Sequence, residues 1–164
     1  MKTLDVPEIE IRRTNVLQCA DADVVASGPE AVLPLLREIL SGREQESFII
    51  LMLDARNRVT AWREVARGSA SHVEVPVREI FGTALMSFGL ALILCHNHPS
   101  GDPSPSAADN FMTAKLKEVG ELIGITIVDH IIIGSGDRYY SFAHGSEAAT
   151  PLLINAPRHG PELD

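Results

Sequence analysis

The sequence predicts an α/β (α+β) fold: a single mixed β-sheet flanked by helices. Apolar runs of strand length, FIILML at 48–53 and ALILC at 91–95, are one reason. Between them lie segments whose apolar residues recur at helical spacing, so the two kinds of element alternate. The third reason is bulk: 164 residues, 45% apolar and 22% charged, are the size and composition of one globular domain with a real core.

Along the chain, residues 1–26 carry scattered charge without a period and read as an N-terminal arm with room for one short strand. SGPEAVLPLLREILSG reads as a helix, with Ser27 as cap, Glu30 three positions on, Pro29 in the first turn and Gly42 as the stop. Pro34 argues for a later start. Phe48 to Leu53 and VTAWREVARG are two strands around the polar break ARNR. PVREIFGTALMSFG is the second helix and ALILC a buried strand. SAADNFMTAKLKEVGELIG runs from a serine cap to a glycine stop, with Phe111, Leu116, Val119 and Ile123 expected on one side. ITIVDHIIIG is a β-branched strand, GSGD a turn and RYYSFAHG a last short strand. This gives an arm and helix over 1–43, a core over 44–145 and a flexible tail over 146–164.

Charge narrows the function. A net charge of -8 counts against a sequence-independent grip on nucleic acid, which depends on cations displacing phosphate counterions. No run approaches the roughly 18–20 apolar residues of a membrane span, and the start lacks a secretory signal, so the expectation is a cytoplasmic chain without membrane contact. Cys19 and Cys95 are too few for a disulfide framework.

The stretch CHNHPSGDPSPSAAD, 95–109, carries the chemistry. Strand side chains alternate faces, so His96 and His98 point the same way, roughly 6–7 Å apart along the chain. Asp109 follows on the first turn of a helix after a loop that folds the chain back. Two imidazoles and a carboxylate leave a fourth tetrahedral position for water, which separates hydrolytic zinc sites from closed structural ones. The bland reading is a polar strand end, with Ser106 and Asp109 as a helix-capping pair. The two are compatible, because a hydroxyl accepts one hydrogen bond while donating another.

HNHPSGDPSPSAAD resembles the metal signature of the JAMM (MPN+) metalloproteases, in which HxH, a spacer and SxxD hold zinc. EVARGS, REIF, ALILCHNHPSGDPSPSAAD, DHIIIG and YYSFAHG together resemble the RadC family more closely, over residues 44–145. The resemblance implies a JAMM/MPN (cytidine deaminase-like) architecture, Zn2+ as cofactor, His96, His98 and Asp109 as ligands, and Ser106 beside them as donor to the oxyanion. It also implies a short form without the helix-hairpin-helix region. JAMM enzymes place their general base at the start of the first core strand, which makes Glu46 the expected base and Glu64 its rival. The implied reaction is hydrolysis of a peptide or isopeptide bond by a metal-activated water, on a protein or peptide substrate, with a homodimer compatible. The alternatives are a non-catalytic MPN-like interaction module and a DNA-repair-associated factor. Cys95 and Asn97 are expected to face away from the histidines. His130 reads first as a hydrogen-bonded core residue and second as one that orients a ligand.

Overall fold

The computed structural model describes residues 24–68 and 76–149, the last four by backbone only. Residues 1–23 with Cys19, residues 69–75 with His72, and residues 150–164 with His159 lie outside the described residues, and with them most of the expected arm and tail. The element order is α1 (Pro29–Leu40), β1 (Ser47–Leu53), β2 (Val59–Arg67), α2 (Val77–Met86), β3 (Ala91–Asn97), α3 (Ala107–Ile123), β4 (Thr126–Ile133), β5 (Arg138–Ser141) and β6 (Ser146–Ala149).

The six strands form one sheet in the order β2-β1-β3-β4-β5-β6. Only β3 and β4 run parallel, because α3 carries the chain across between them. The other pairs are antiparallel, so the expected mixed sheet is present. All seven residues of β1 are buried, as an apolar run covered on both faces requires. On one face Val32, Leu33 and Leu36 of α1 pack against Ile49, Leu51, Ile93, Cys95 and Ile131. On the other, Ile80 and Phe81 of α2 and Leu116 of α3 cover Phe48, Ile50, Leu92 and Leu94.

Four expectations are corrected. Ser27 does not cap α1. Gly28 holds that position with no side-chain bond, and Glu30 instead accepts a 2.6 Å hydrogen bond from the Tyr139 hydroxyl. Pro34 does not delay the helix: it sits inside α1 on the exposed side, while Val32, Leu33 and Leu36 hold the buried side to the sheet. On α3, Leu116 is buried and Val119 packs against the core, but Phe111 and Ile123 are 68% and 42% exposed. The buried positions are Asp109, Thr113, Leu116 and Gly120, and Phe111 lies about 200° around the helix from Asp109. An apolar count missed this face because its first turn buries polar residues. Finally, Ser146–Ala149 pairs with β5 as an edge strand where a tail was expected to begin.

Candidate metal centre

The sheet register decides which side chains share a face. Phe48 pairs with His96 across β1 and β3, and β3 continues through the His98 N–H, which donates to the Ile133 carbonyl at 2.9 Å. Alternation then puts Glu46, Phe48, His96 and His98 on the face covered by α2 and α3. Cys95 and Asn97 fall on the α1 face, as expected, and Cys95 is fully buried there.

The loop after His98 is pinned to the β4–β5 turn. The Gly101 carbonyl accepts from the Ser135 N–H at 2.9 Å and from the Arg138 guanidinium. Gly134 permits this approach, since a Cβ there would lie 2.7 Å from the Gly101 oxygen. The loop in turn orients a histidine: the Asp102 carbonyl lies 2.8 Å from His98 Nδ1. A carbonyl only accepts, so Nδ1 of His98 carries a proton and Nε2 is the nitrogen turned toward the site.

Helix α3 opens with a capping box that aims the carboxylate. The Ser106 hydroxyl accepts from the Asp109 N–H at 3.1 Å, and Asp109 Oδ2 accepts from the Ser106 N–H at 2.7 Å and the Ser106 hydroxyl at 2.6 Å. The capping reading and the metal reading therefore describe one geometry. Ser106 directs its hydroxyl hydrogen at Asp109.

His96, His98 and Asp109 converge. Nε2 of His96 lies 3.0 Å from Nε2 of His98 and 3.3 Å from Asp109 Oδ1, and His98 Nε2 lies 3.5 Å from Asp109 Oδ2. A tetrahedral ion with such ligands at about 2.0–2.1 Å has ligand–ligand edges of about 3.3–3.4 Å, close to these separations. Two imidazoles and one carboxylate are also the donor chemistry of a catalytic rather than a closed zinc site. The set fits a single divalent ion.

The electrostatics agree. Burial pushes the Asp109 carboxyl up, but the Ser106 hydroxyl and the two imidazoles beside it outweigh burial and hold the group far below the ordinary carboxylate range. The neighbouring Asp109 carboxylate raises His98 against desolvation, with smaller help from the Asp102 carbonyl and the charge of Glu46. Glu46 thus lies within electrostatic reach of His98. Glu64 does not share its surroundings: it pairs with Ile49 in the register, on the α1 face. Both its oxygens are occupied by Arg67 at 2.7 Å and by Arg43 at 3.1 and 3.3 Å.

Two further side chains support the site. The Asn97 carboxamide accepts from the Ser47 N–H at 2.8 Å and donates to the Gln45 carbonyl at 3.1 Å, so it holds the peptide groups on both sides of Glu46. His130 is buried, but its partner is the site: its Nε2 lies 2.8 Å from His96 Nδ1 and its Nδ1 2.6 Å from the Thr113 hydroxyl. Burial drives its pKa well below the usual histidine value and leaves the ring neutral. A polar residue inside the apolar strand ITIVDHIIIG was the available signal.

The RadC-like JAB domain profile matches residues 26–147. A UPF0758 protein of Herminiimonas arsenicoxydans is 42% identical over 135 residues, covering 82% of this chain and 60% of the relative. One from Janthinobacterium sp. (strain Marseille) is 39% identical over 138 residues, covering 84% of this chain and 61% of the relative. A third, from Methanosarcina mazei, is 46% identical over 115 residues, covering 70% and 50%. The chain therefore spans about 50–61% of the length of these relatives. Among the described residues no helix is long and apolar enough to cross a membrane.

Proposed function

We propose that this chain, which belongs to the RadC-like JAB domain family, is a zinc-dependent hydrolase of peptide or isopeptide bonds. The observation that carries the reading is the approach of His96, His98 and Asp109 to within a single ion's ligand spacing, with Glu46 on the same sheet face. His96 and His98 would hold the ion through Nε2 and Asp109 through its carboxylate. When bound, zinc supplies a Lewis acid and a water that ionises near neutral pH.

The remaining work falls to the chain's own groups. Glu46 takes the proton of the attacking water and returns it to the leaving amine. Asn97 keeps Glu46 in place through the flanking peptide groups. Ser106 fixes Asp109 through its N–H and hydroxyl, and donation to the oxyanion would require that hydroxyl to turn from Asp109 to the substrate while the N–H keeps its hold. A surface pocket of about 550 Å³ reaches His98 and Pro99 from the α1 side, with Arg37, Leu40, Asn97 and Gly134 in its walls, so it adjoins the edge of the site rather than enclosing His96 and Asp109.

Metal analysis by mass spectrometry on the purified full chain tests the reading. One zinc per chain is expected, absent from a His96→Ala, His98→Ala double variant and retained in Glu46→Gln, which cleaves no peptide or isopeptide substrate. Equal zinc in the double variant rejects the site. Undiminished cleavage by Glu46→Gln rejects the base.

A further inference from the structure

We propose that Thr113 and His130 are positioning residues that lock His96 into one tautomer, with its proton on Nδ1 and its Nε2 lone pair aimed at His98 and Asp109. The Thr113 hydroxyl lies 2.6 Å from the Asp109 carbonyl and 2.6 Å from His130 Nδ1. A carbonyl only accepts, so the single hydroxyl hydrogen goes there and Thr113 presents a lone pair to His130. His130 Nδ1 is then the donor.

A neutral imidazole carries one N–H, so His130 Nε2 accepts. It faces His96 Nδ1 at 2.8 Å, and His96 must donate. With its proton committed at Nδ1, a neutral His96 presents its Nε2 lone pair 3.0 Å from His98 Nε2 and 3.3 Å from Asp109 Oδ1. An imidazole free in water prefers the opposite tautomer, with its proton on Nε2, so the surroundings must enforce this one.

The arrangement explains why a threonine is needed as well as a histidine. Ligating histidines commonly donate to a carbonyl or carboxylate, which can only accept. A histidine partner has two tautomers and fixes the direction only if its own far nitrogen is fixed, which Thr113 does. The ring is held in place too: His130 is fully buried, stacked on Phe142 at 4.9 Å and 7° and tilted against Phe48 at 5.6 Å. The chain of bonds starts at the backbone carbonyl of Asp109 and ends at His96, so it joins the first turn of α3 to β3 behind the site.

The tautomer follows from these contacts and a neutral His130; its consequence for metal affinity rests on the hydrolase reading. Long-range ¹H–¹⁵N correlation on the ¹⁵N-labelled, chelator-treated full chain reads it directly. His96 is expected with its proton on Nδ1 in the native chain and in His130→Gln, whose amide can both accept from His96 and donate to Thr113. It is expected on Nε2 in His130→Leu. Zinc competition against a chromogenic chelator is expected to show affinity reduced about 10–100-fold in His130→Leu, largely kept in His130→Gln and reduced to a lesser degree in Thr113→Val. A native His96 protonated on Nε2 overturns the proposal, as does equal zinc affinity in native, Gln and Leu forms. A native chain with the Nδ1 proton but no zinc uptake rejects the hydrolase reading and leaves the positioning intact.

Discussion

Asn97 extends the β1–β3 ladder by one rung with its side chain, accepting the Ser47 N–H at 2.8 Å where the backbone pairing has ended at Phe48 and His96. The same amide donates to the Gln45 carbonyl, so one side chain holds both peptide groups that flank Glu46. Neither bond touches the imidazoles on either side of Asn97. Asn97→Ala is therefore expected to retain zinc at native affinity. It leaves the buried Ser47 N–H without a partner, which costs about 1–3 kcal/mol in urea unfolding. It also frees Glu46, so turnover falls with little change in KM. Native stability in Asn97→Ala, or a loss of zinc equal to that of a ligand variant, contradicts this assignment.

The Ser106–Asp109 box serves the helix and the site at once, and the two roles separate by mutation. Ser106→Ala removes the cap and should cost about 0.5–2 kcal/mol with or without metal. Asp109→Ala removes the reciprocal half of the box and also a ligand. A ligand that binds only the folded state adds about 2.7 kcal/mol at a hundredfold excess over Kd. Thermal melts with and without chelator should show that zinc-dependent increment in the native chain and in Ser106→Ala, and none in Asp109→Ala. An increment surviving in Asp109→Ala removes that carboxylate from the metal set.

The contrast between these residues explains what could be read from the sequence. Period-two alternation was sufficient to put His96 and His98 on one face and Cys95 on the other, because β3 is a short strand with both faces buried. The serine and aspartate at a helix start were legible for the same kind of reason: capping is local. His130 and Asn97 were not, because their partners lie 34 and 50 residues away, and only the strand register brings them together. The choice between Glu46 and Glu64 is also one of register, since both precede or follow apolar strand residues in the same way. The misplaced face of α3 has a different origin: Asp109 and Thr113 are buried because they serve the site, and a hydrophobic count weighs them as surface.

Glu64 supplies a pH test away from the metal centre. Its carboxyl is lowered chiefly by the hydrogen bond from Arg67, against some desolvation, with Arg43 adding its charge. A carboxyl depressed in the folded state contributes stability above its unfolded pKa, near 4.3, and loses it as pH falls through the folded value. The native chain should therefore lose stability more steeply than Glu64→Gln between about pH 5 and 3. The side chain is 20% exposed and Arg67 53%, so solvent screening limits the difference to about 1 kcal/mol or less. Urea midpoints at several pH values read it. Parallel curves for the two proteins would mean that the Arg43–Glu64–Arg67 cluster adds no net stability.

Gly134 and Gly82 make a paired test of how the loop after His98 is held. A Cβ on Gly134 would stand 2.7 Å from the Gly101 carbonyl oxygen and 2.9 Å from Pro103 Cδ, and backbone cannot yield there as a flexible side chain would. Gly134→Ala should push the loop off the β4–β5 turn at a cost of about 1–3 kcal/mol. Because Asp102 travels with that loop, its carbonyl would lose His98 Nδ1, and zinc affinity should fall with stability. Gly82 lies within α2 with nothing near the position of an added Cβ, so Gly82→Ala should gain about 0.5–1 kcal/mol and leave zinc binding unchanged. Melting temperatures and zinc titrations on the two variants decide the matter. If Gly134→Ala melts lower but binds zinc as tightly as the native chain, the loop packs against the turn without governing the orientation of His98.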